Sequence, residues 1–351
     1  MVKASPILAS VGKRRWKCSP NWRPPSRLAS VTCALRNSPI STPLIAVAPM
    51  MRYSHRHARC LWRFLCPPVR LYTEMISTEA VLNGDTARLL TLPQGQSPVA
   101  LQLGGAKPAA LARAAAIGKS FGYDEININC GCPSSRVKKG DFGASLMATP
   151  ARVADIVIAI KNAVSLPVTV KCRTAIDDVD ADKFLGAFAA AVIAAGADGL
   201  IVHARRAWLS GLNPAQNRSV PPLDYDCVRR LKKTLADFPV MLNGGVQSIA
   251  DVRRETAWAD GVMLGRTVVQ EPYLLAKLGE EFLAGQAPTR RAALTHMLEA
   301  AKNESPHEWR RIAQSLSGLL HGCKNSRHYR RSLNLPMPSA LIQLAGLGFC
   351  Q

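Results

Sequence analysis

Acidic residues are missing from the first 73 positions of this 351-residue chain, and Glu74 is the first of them. Residues 1–73 carry a net charge of +13, residues 74–285 carry +2, and residues 286–351 carry +6. A nearly neutral body with two basic ends is typical of a protein that contacts a polyanion, most simply nucleic acid. For the N-terminal end, a targeting segment is the competing interpretation.

Two further absences narrow the class of protein. The chain has no apolar run of about 20 residues, so we expect no membrane span. Its ten cysteines form no C-x-x-C pair, and Cys130-x-Cys132 stands alone, so we expect no zinc or iron–sulfur site. A chain of this length, 48% hydrophobic, can bury a large core without disulfides, which favours a reducing compartment.

Residues 1–42 form a basic, acid-free leader that contains serine and proline but no continuous apolar core of a secretory signal. Such a composition fits a transit peptide for a mitochondrion or a plastid. Disorder or a misassigned start codon would look the same, and the protein would then be cytoplasmic.

From residue 43 onward, short β-branched runs alternate with alanine-rich helical stretches. The predicted helices include Lys107–Phe121, Ala151–Ala163, Ala181–Ala195, Tyr225–Leu235, Ser248–Trp258 and Val269–Leu283, with start signals such as Asp224 and Ser248 as N-caps. Eight strands are predicted, at Leu44–Ala48, Leu71–Met75, Val99–Leu103, Glu125–Asn129, Val168–Cys172, Leu200–His203, Val240–Asn243 and Val262–Leu264. Eight such units predict an α/β fold, a (β/α)8 TIM barrel over residues 43–285. The alternative is an open doubly wound sheet, but no G-x-G-x-x-G follows a strand, which argues against dinucleotide binding of the Rossmann type.

Residues 286–351 have helical patterns without strands and are predicted to form a small, basic helical domain. Six cations punctuate the helices, namely Arg310, Arg311, Lys324, Arg327, Arg330 and Arg331. With Glu308 as the one acid nearby, these residues favour a surface that contacts phosphates over an ordinary solvated face.

The candidate site starts from the stretch Tyr123–Met147. A strand ends at Asn129, and Cys130-Gly131-Cys132-Pro133 follows, which places a thiol on a tight turn. Barrel enzymes gather their working groups at such strand ends. A buried structural cysteine is the alternative, although the flanking glycine, proline and polar residues argue against it.

The other strand ends carry polar groups as well. Asn243-Gly244-Gly245 and Gly265-Arg266 follow the seventh and eighth strands, where such barrels hold a phosphate with backbone N–H groups and a helix N-terminus. Two ordinary glycine turns are the alternative. Gln102, Lys171 and His203 suit a flat heteroaromatic cofactor, because they supply an amide, a cation and a further donor or acceptor, as proteins do for a flavin.

These segments together resemble the tRNA-dihydrouridine synthase family, specifically its A subfamily. The resemblance runs over roughly residues 43–275 and resumes at Leu319–Leu333. It is carried by Ala48-Pro49-Met50, LYTEM (Leu71–Met75), VALQLGG (Val99–Gly105), GYDEININCGCPS (Gly122–Ser134), GxFGASLM (Gly140–Met147), PVTVKCR (Pro167–Arg173), HARRAWLSGLNPAQNR (His203–Arg218), PPLDY (Pro221–Tyr225), NGG, GVMLGR and LLHGCKNSRHYRRSL (Leu319–Leu333).

The resemblance implies an FMN-bound barrel that uses NADPH, or NADH, to reduce the C5–C6 bond of a uridine near position 20 or 20a of tRNA. Cys132 would be the general acid that protonates C5. The implied FMN-binding residues are Pro49, Met50, Met51, Gln102, Lys171, His203, Asn243, Gly244, Gly245, Gly265 and Arg266. Implied contacts to the uridine or the tRNA are Asn129, Arg205, Arg206, Asn217, Arg218, Arg327 and Arg330. The protein is expected to be a monomer.

The sequence departs from the family in its first loop, where Arg52-Tyr53-Ser54-His55 replaces an Asp-aromatic-Thr-Asp run, and at Ser135, which replaces a common acid. Two alternatives stay open at this point. One is a small-molecule flavin dehydrogenase of the dihydroorotate type, against which the basic helical tail argues. The other is a tRNA-binding protein of this fold that has lost catalysis, against which Cys132, Lys171 and His203 argue.

Overall fold

The computed structural model of the chain describes residues 44–340 and 344, except for 135, 136, 138, 139, 284, 303, 325 and 338. The predicted leader at 1–42 and the departure at Ser135 lie outside the described residues. Within them, no helix is both long enough and apolar enough to cross a membrane.

In the part of the chain that the structure describes, nine parallel strands form one sheet, and eight of them close into a barrel. The strands are β1 Leu44–Val47, β2 Arg70–Tyr72, β3 Ile76–Ser77, β4 Val99–Gly104, β5 Glu125–Asn129, β6 Val168–Arg173, β7 Gly199–His203, β8 Val240–Asn243 and β9 Gly261–Leu264. Their order is β2-β1-β9-β8-β7-β6-β5-β4-β3, and the pairing of β2 with β4 closes the ring. Because β3 pairs with β4 alone, it lies outside the ring of eight. The predicted (β/α)8 barrel is confirmed.

Helices surround this barrel and continue beyond it. The barrel helices are α1 Arg56–Leu65, α2 Thr78–Asn83, α3 Thr86–Leu90, α4 Pro108–Ser120, α5 Pro150–Ala163, α6 Ala181–Ala194, α7 Tyr225–Leu235, α8 Ile249–Glu255, α9 Arg266–Gln270 and α10 Leu274–Phe282. The C-terminal helices are α11 Arg290–Ala301, α12 Trp309–Leu316 and α13 Ser326–Leu333. Short 3-10 turns lie at Gly143–Ala148 and Gln216–Arg218.

Two apolar layers follow from the alternation of side chains along each strand. The larger layer fills the space between strands and helices, and includes Ile126, Ile128 and Cys130. The smaller layer fills the barrel interior with Ala46, Ala48, Tyr72, Ala100, Ile201, Met241 and Met263.

Most predicted elements agree with the structure to within a few residues, and Glu125–Asn129, Val240–Asn243 and Tyr225–Leu235 agree at both ends. The predicted N-caps are also present, since Asp224 accepts from the N–H of Cys227 and Ser248 from that of Asp251.

Two predicted elements differ from the structure. The strand expected at Leu71–Met75 ends at Tyr72 as β2, and the separate strand β3 begins only at Ile76, beyond the predicted range. The helix expected at Val269–Leu283 separates into α9 and α10 on either side of Pro272, because proline has no N–H to continue the helical bonds.

The C-terminal helices pack against the barrel through α1. Arg56 donates two 3.0 Å hydrogen bonds to the carboxylate of Glu304, and the ring of His57 lies 2.9 Å from a carboxylate oxygen of Glu308. Trp309 donates from its indole to the carbonyl of Leu335 at 3.0 Å. The predicted helical segment is therefore present, while its boundary at residue 286 stays a prediction.

Candidate active site at the barrel mouth

The strand β5 separates the two neighbouring thiols of the central stretch. Cys130 continues the outward-facing row of Ile126 and Ile128 and is fully buried between strands and helices. Its burial, followed by the proximity of Cys172, raises the pKa of the Cys130 thiol well above its ordinary value. Cys132 is only half-buried on the turn beyond the strand. Of the two, only Cys132 is accessible from solvent.

Backbone hydrogen bonds hold the Cys132 turn on both sides. The amide oxygen of Asn129 accepts from the N–H groups of Gly131 at 3.2 Å and of Cys132 at 3.0 Å. The carbonyl of Cys132 accepts from the N–H of Ala144 at 3.0 Å. Gly143 permits this approach, because it has a φ of +75° and a Cβ there would lie 2.6 Å from the Cys132 oxygen.

Three cations lie near the Cys132 sulfur. A thiolate at that position would raise the pKa of Arg173, of Lys171 and of Arg218. None of the residues that the structure describes makes a hydrogen bond with the sulfur itself. The thiol is thus placed in an electropositive environment without a direct partner among the described side chains.

Arg173 ties the thiol turn to the loop after β7. Its Nε donates to the carbonyl of Gly131 at 3.0 Å, and its Nη1 donates to the carbonyl of Asn217 at 2.9 Å. Burial lowers the pKa of this guanidinium to about 10, so it remains charged at neutral pH. The sequence showed Arg173 at a strand end, but gave no indication that it joins three segments.

Lys171 and His203 face the mouth from β6 and β7. Lys171 donates to the side-chain oxygen of Asn243 at 2.7 Å, and the amide of Asn243 donates to the carbonyl of Met263 at 2.7 Å. Burial, followed by the charge of Arg173, lowers the pKa of Lys171 to about 7. The same two causes, burial and then Arg173, hold the pKa of His203 well below its usual value, so its imidazole is neutral at pH 7.

Gln102 and Asn129 lie side by side in the barrel interior. Gln102 donates from Nε2 to Asn127 at 2.7 Å, and its Oε1 accepts from Nδ2 of Asn129 at 2.9 Å. Both predicted site residues are buried, and both are fixed by other amides.

The two predicted phosphate-binding turns differ in how much protein covers them. Gly244 has a φ of +102°, and a Cβ there would lie 2.6 Å from the ring of His203. The hydroxyl of Tyr225 donates to the carbonyl of Gly244 at 2.7 Å, and the same side chain packs on Gly245. In contrast, a Cβ added at Gly265 would meet open space, which leaves room for a bound group.

Arg266, next to that open turn, is exposed, and its Nη2 donates to the carbonyl of Arg218 at 3.3 Å. β1 pairs with β9, so Pro49 and Met50 follow β1 on the side where Gly265 follows β9. Met51 is 56% exposed. The structure thus brings the predicted residues at the ends of β1, β7, β8 and β9 to one mouth.

In the first loop, two of the residues that depart from the family pattern, Ser54 and His55, make hydrogen bonds that hold the backbone. Ser54 donates to the carbonyl of Ala48 at 2.8 Å and accepts from the N–H of Met50 at 3.0 Å. The ring of His55 accepts from the N–H of Ala58 and caps α1. The N–H of Arg52 donates to Glu74 at 2.5 Å. These bonds keep the loop folded although two acids of the family pattern are missing.

In the loop from 205 to 218, several residues predicted to contact tRNA make hydrogen bonds to other residues of the protein. Arg205 donates to the carbonyl of Pro221, and Arg206 donates to the carbonyl of Asp177 at 2.5 Å. Asn217 is fully buried, where its amide accepts from the N–H of Trp208 and donates to the carbonyl of the same residue. Arg218 is exposed. Contact with tRNA stays a prediction for all four, but the first three already hold the loop.

In the tail, Arg327 and Arg330 are exposed on α13, while Tyr329 and Leu333 bury the opposite face of that helix. The part of the chain that the structure describes holds no cluster of three or more metal-ligating side chains. The contact of the two arginines with tRNA stays a prediction.

A closed parallel barrel with an accessible thiol, a half-buried lysine and an open glycine turn at one mouth has the architecture of a (β/α)8-barrel enzyme. The dihydrouridine synthase (Dus) family model matches residues 46–337. The chain therefore belongs to the dihydrouridine synthase family.

Individual relatives cover most of the chain. A protein of Xanthomonas campestris pv. campestris named tRNA-dihydrouridine(20/20a) synthase is 46% identical over 293 residues, which are 83% of this chain and 87% of that protein. A protein of the same name from Synechocystis sp. is 42% identical over 306 residues, 86% of this chain and 91% of that protein. Among solved structures, morphinone reductase is similar at 12% identity with a TM-score of 0.49, over 72% of this chain and 93% of that one.

Proposed function

We propose that this protein is a tRNA-dihydrouridine(20/20a) synthase, which reduces the C5–C6 bond of a uridine in the tRNA D-loop with NADPH, or NADH, as the reductant. Its relatives carry that name at 42–46% identity over more than four fifths of the chain. The observation that carries the proposal is the accessible thiol of Cys132 among Lys171, Arg173 and Arg218 at the barrel mouth.

The residues at the mouth fit FMN. The open turn at Gly265 and the exposed Arg266 suit its phosphate, because backbone N–H groups and a guanidinium both favour an anion. Gln102, Lys171 and His203 would contact the ring system, and Asn243 holds the lysine in place. When bound, FMN supplies the hydride that is added to C6 of the base.

Cys132 would hold the proton that is added to C5. A thiol is a suitable general acid near neutral pH, provided that it keeps its proton until the base is bound. Asn129 and Ala144 fix the backbone on both sides of the turn, and this restricts the positions of the sulfur. The uridine must leave its stack to reach this mouth, since neither face of a stacked base is open to attack.

The remaining parts of the proposal concern binding and location. Exposed Arg327 and Arg330 of the predicted helical domain would contact tRNA phosphates, and Arg218 would do so at the mouth. The protein would act as a monomer, without a metal ion. The leader at 1–42 would direct it to a mitochondrion or a plastid, and without such a function the protein would be cytoplasmic.

Nucleoside mass spectrometry tests the proposal. Unmodified tRNA is incubated with NADPH and with either the wild-type protein or Cys132→Ala, and dihydrouridine is measured after digestion. We expect dihydrouridine with the wild type alone, and a flavin absorption spectrum in both proteins. A wild-type protein without flavin, or an equal yield from the variant, would contradict the assignment.

A further inference from the structure

A line of hydrogen bonds crosses the barrel interior from the first residue of β5 to the Cys132 turn. It begins at the carboxylate of Glu125, which is 1% exposed. This carboxylate accepts from the hydroxyls of Thr169 at 2.5 Å and Tyr72 at 3.0 Å, and from the guanidinium of Arg70. An ionised carboxylate has no hydrogen to give, so each of these neighbours must donate.

This requirement determines the direction of the next two bonds. A threonine hydroxyl has one hydrogen, and Thr169 gives it to Glu125, so Thr169 can only accept from Asn127. The amide nitrogen of Asn127 accordingly lies 2.8 Å from Oγ1 of Thr169, with a longer contact of 3.4 Å to the Thr169 carbonyl. The oxygen of Asn127 therefore points towards Gln102, whose amide nitrogen donates to it at 2.7 Å.

The same argument determines the amide orientations of Gln102 and Asn129 near the mouth. The oxygen of Gln102 accepts from the amide nitrogen of Asn129 at 2.9 Å. The oxygen of Asn129 is then free to accept the N–H groups of Gly131 and Cys132. Those backbone groups can only donate, so both ends of the line require the same amide orientations.

We propose that Glu125, acting through Thr169 and Asn127, is a positioning residue that fixes the amide orientations of Gln102 and Asn129 and thereby the Cys132 turn. The proposal deepens the proposed function, since it explains how a buried charge remote from the substrate would hold the acid in place. The row of hydrogen bonds from Glu125 to the Cys132 turn does not depend on the identity of the substrate.

The rate at which iodoacetamide alkylates Cys132 tests this inference on the full-length protein, with peptide-resolved mass spectrometry as the readout. Thr169→Val removes the hydroxyl at nearly constant shape, so Asn127 loses its nearer acceptor, keeps only the longer contact to the Thr169 carbonyl, and the amides beyond it can reorient. We expect Cys132 to react roughly 3- to 10-fold faster, as for the loss of one neutral hydrogen bond. Cys323, half-buried in the tail, serves as the internal reference and should be unchanged.

Two matched control variants test whether the change in rate comes from the loss of the Thr169 hydroxyl. Thr169→Ser keeps the hydroxyl and should restore the wild-type rate. Thr256→Val makes the same change at a half-buried threonine on the outside of the barrel, whose hydroxyl donates to the carbonyl of Val252 at 2.7 Å, and should leave the rate unchanged. A Thr169→Val rate at or below that of the wild type, or an equal rise in Thr169→Ser, would overturn the proposal.

Should Thr169→Val fail to fold, Glu125→Gln carries the same test. A glutamine can donate to Thr169, so the direction of the line is no longer fixed and Cys132 should again react faster; a wild-type rate would overturn the inference. Alkylation needs neither flavin nor tRNA. A Cys132→Ala protein that still forms dihydrouridine would therefore refute the proposed function without touching this result.

Discussion

The two basic regions of this protein use their charges in opposite ways. At the barrel mouth, Arg173, Arg205 and Arg206 donate to backbone carbonyls of neighbouring loops. On the C-terminal helices, Arg310 and Arg330 are exposed, and their side chains make no hydrogen bond or ion pair with another residue that the structure describes. The mouth arginines thus shape the pocket, whereas the tail arginines are available to a polyanion.

This difference means that arginine in a basic protein does not by itself indicate a phosphate contact. Guanidinium groups that already donate to backbone carbonyls would lose those bonds on turning towards a phosphate. We therefore expect substitutions of Arg173, Arg205 or Arg206 to affect folding and the chemical step together, and substitutions of exposed tail arginines such as Arg330 to affect tRNA binding alone.

The largest effect should come from Arg173→Met. The variant leaves the carbonyls of Gly131 and Asn217 without their donors, so we expect the free energy of unfolding to fall by about 2–4 kcal/mol and dihydrouridine formation to be lost. Urea unfolding measures the first quantity. Arg310→Met, the same change at an exposed tail position, should stay within about 0.5 kcal/mol of the wild type. Equal losses in both variants would abolish the distinction between the two regions.

A smaller effect is expected from Arg327→Ala combined with Arg330→Ala. If each contacts one phosphate, the slope of log affinity for tRNA against log salt concentration should become shallower by roughly 2. The KM for tRNA should rise while kcat stays near that of the wild type. Filter binding over a salt series gives the slope, and thermal unfolding should be unaltered. An unchanged slope would exclude both arginines from the tRNA interface.

The smallest effect, when taken per pH unit, is the pH dependence of stability. Burial lowers the pKa of Lys171 to about 7, whereas the pKa of an unfolded lysine is about 10.4. Between these values the unfolded chain binds more protons, so the destabilisation caused by Lys171 is complete below pH 7 and is relieved as the pH rises.

We therefore expect the wild type to gain stability relative to Lys171→Met between pH 7 and 10, with a slope of up to about 1.4 kcal/mol per pH unit. Urea unfolding of the two flavin-free proteins at several pH values measures it. Lys183→Met, at an exposed lysine, corrects for the loss of one charge. A difference that does not change with pH would show that Lys171 is not protonated differently in the folded state.

Local patterns were sufficient to predict the barrel, because the alternation along β5, the short apolar run of β8 and the caps at Asp224 and Ser248 depend on neighbouring residues. The helix α1 was missed, since it lacks the alanine-rich pattern of the other helices, and its buried face, which includes Arg59 and Arg63, packs against α11 and α12 far along the chain.

The candidate site was predicted only as far as single strand ends allow. The tie that Arg173 makes to Gly131 and Asn217 joins residues more than 40 positions apart, so no spacing in the sequence reveals it. For the same reason the complete burial of Asn217 was not foreseen, although its motif was recognised.

The central claim is that the accessible thiol at position 132, and not the buried one at 130, donates a proton at the mouth. Mixing the pre-reduced enzyme with saturating tRNA and following flavin reoxidation in a single turnover tests it most directly. We predict that Cys132→Ala slows this step by about 100-fold or more, while Cys130→Ala stays within roughly threefold of the wild type. A Cys132→Ala enzyme that turns over at the wild-type rate, or a loss confined to Cys130→Ala, would contradict the claim.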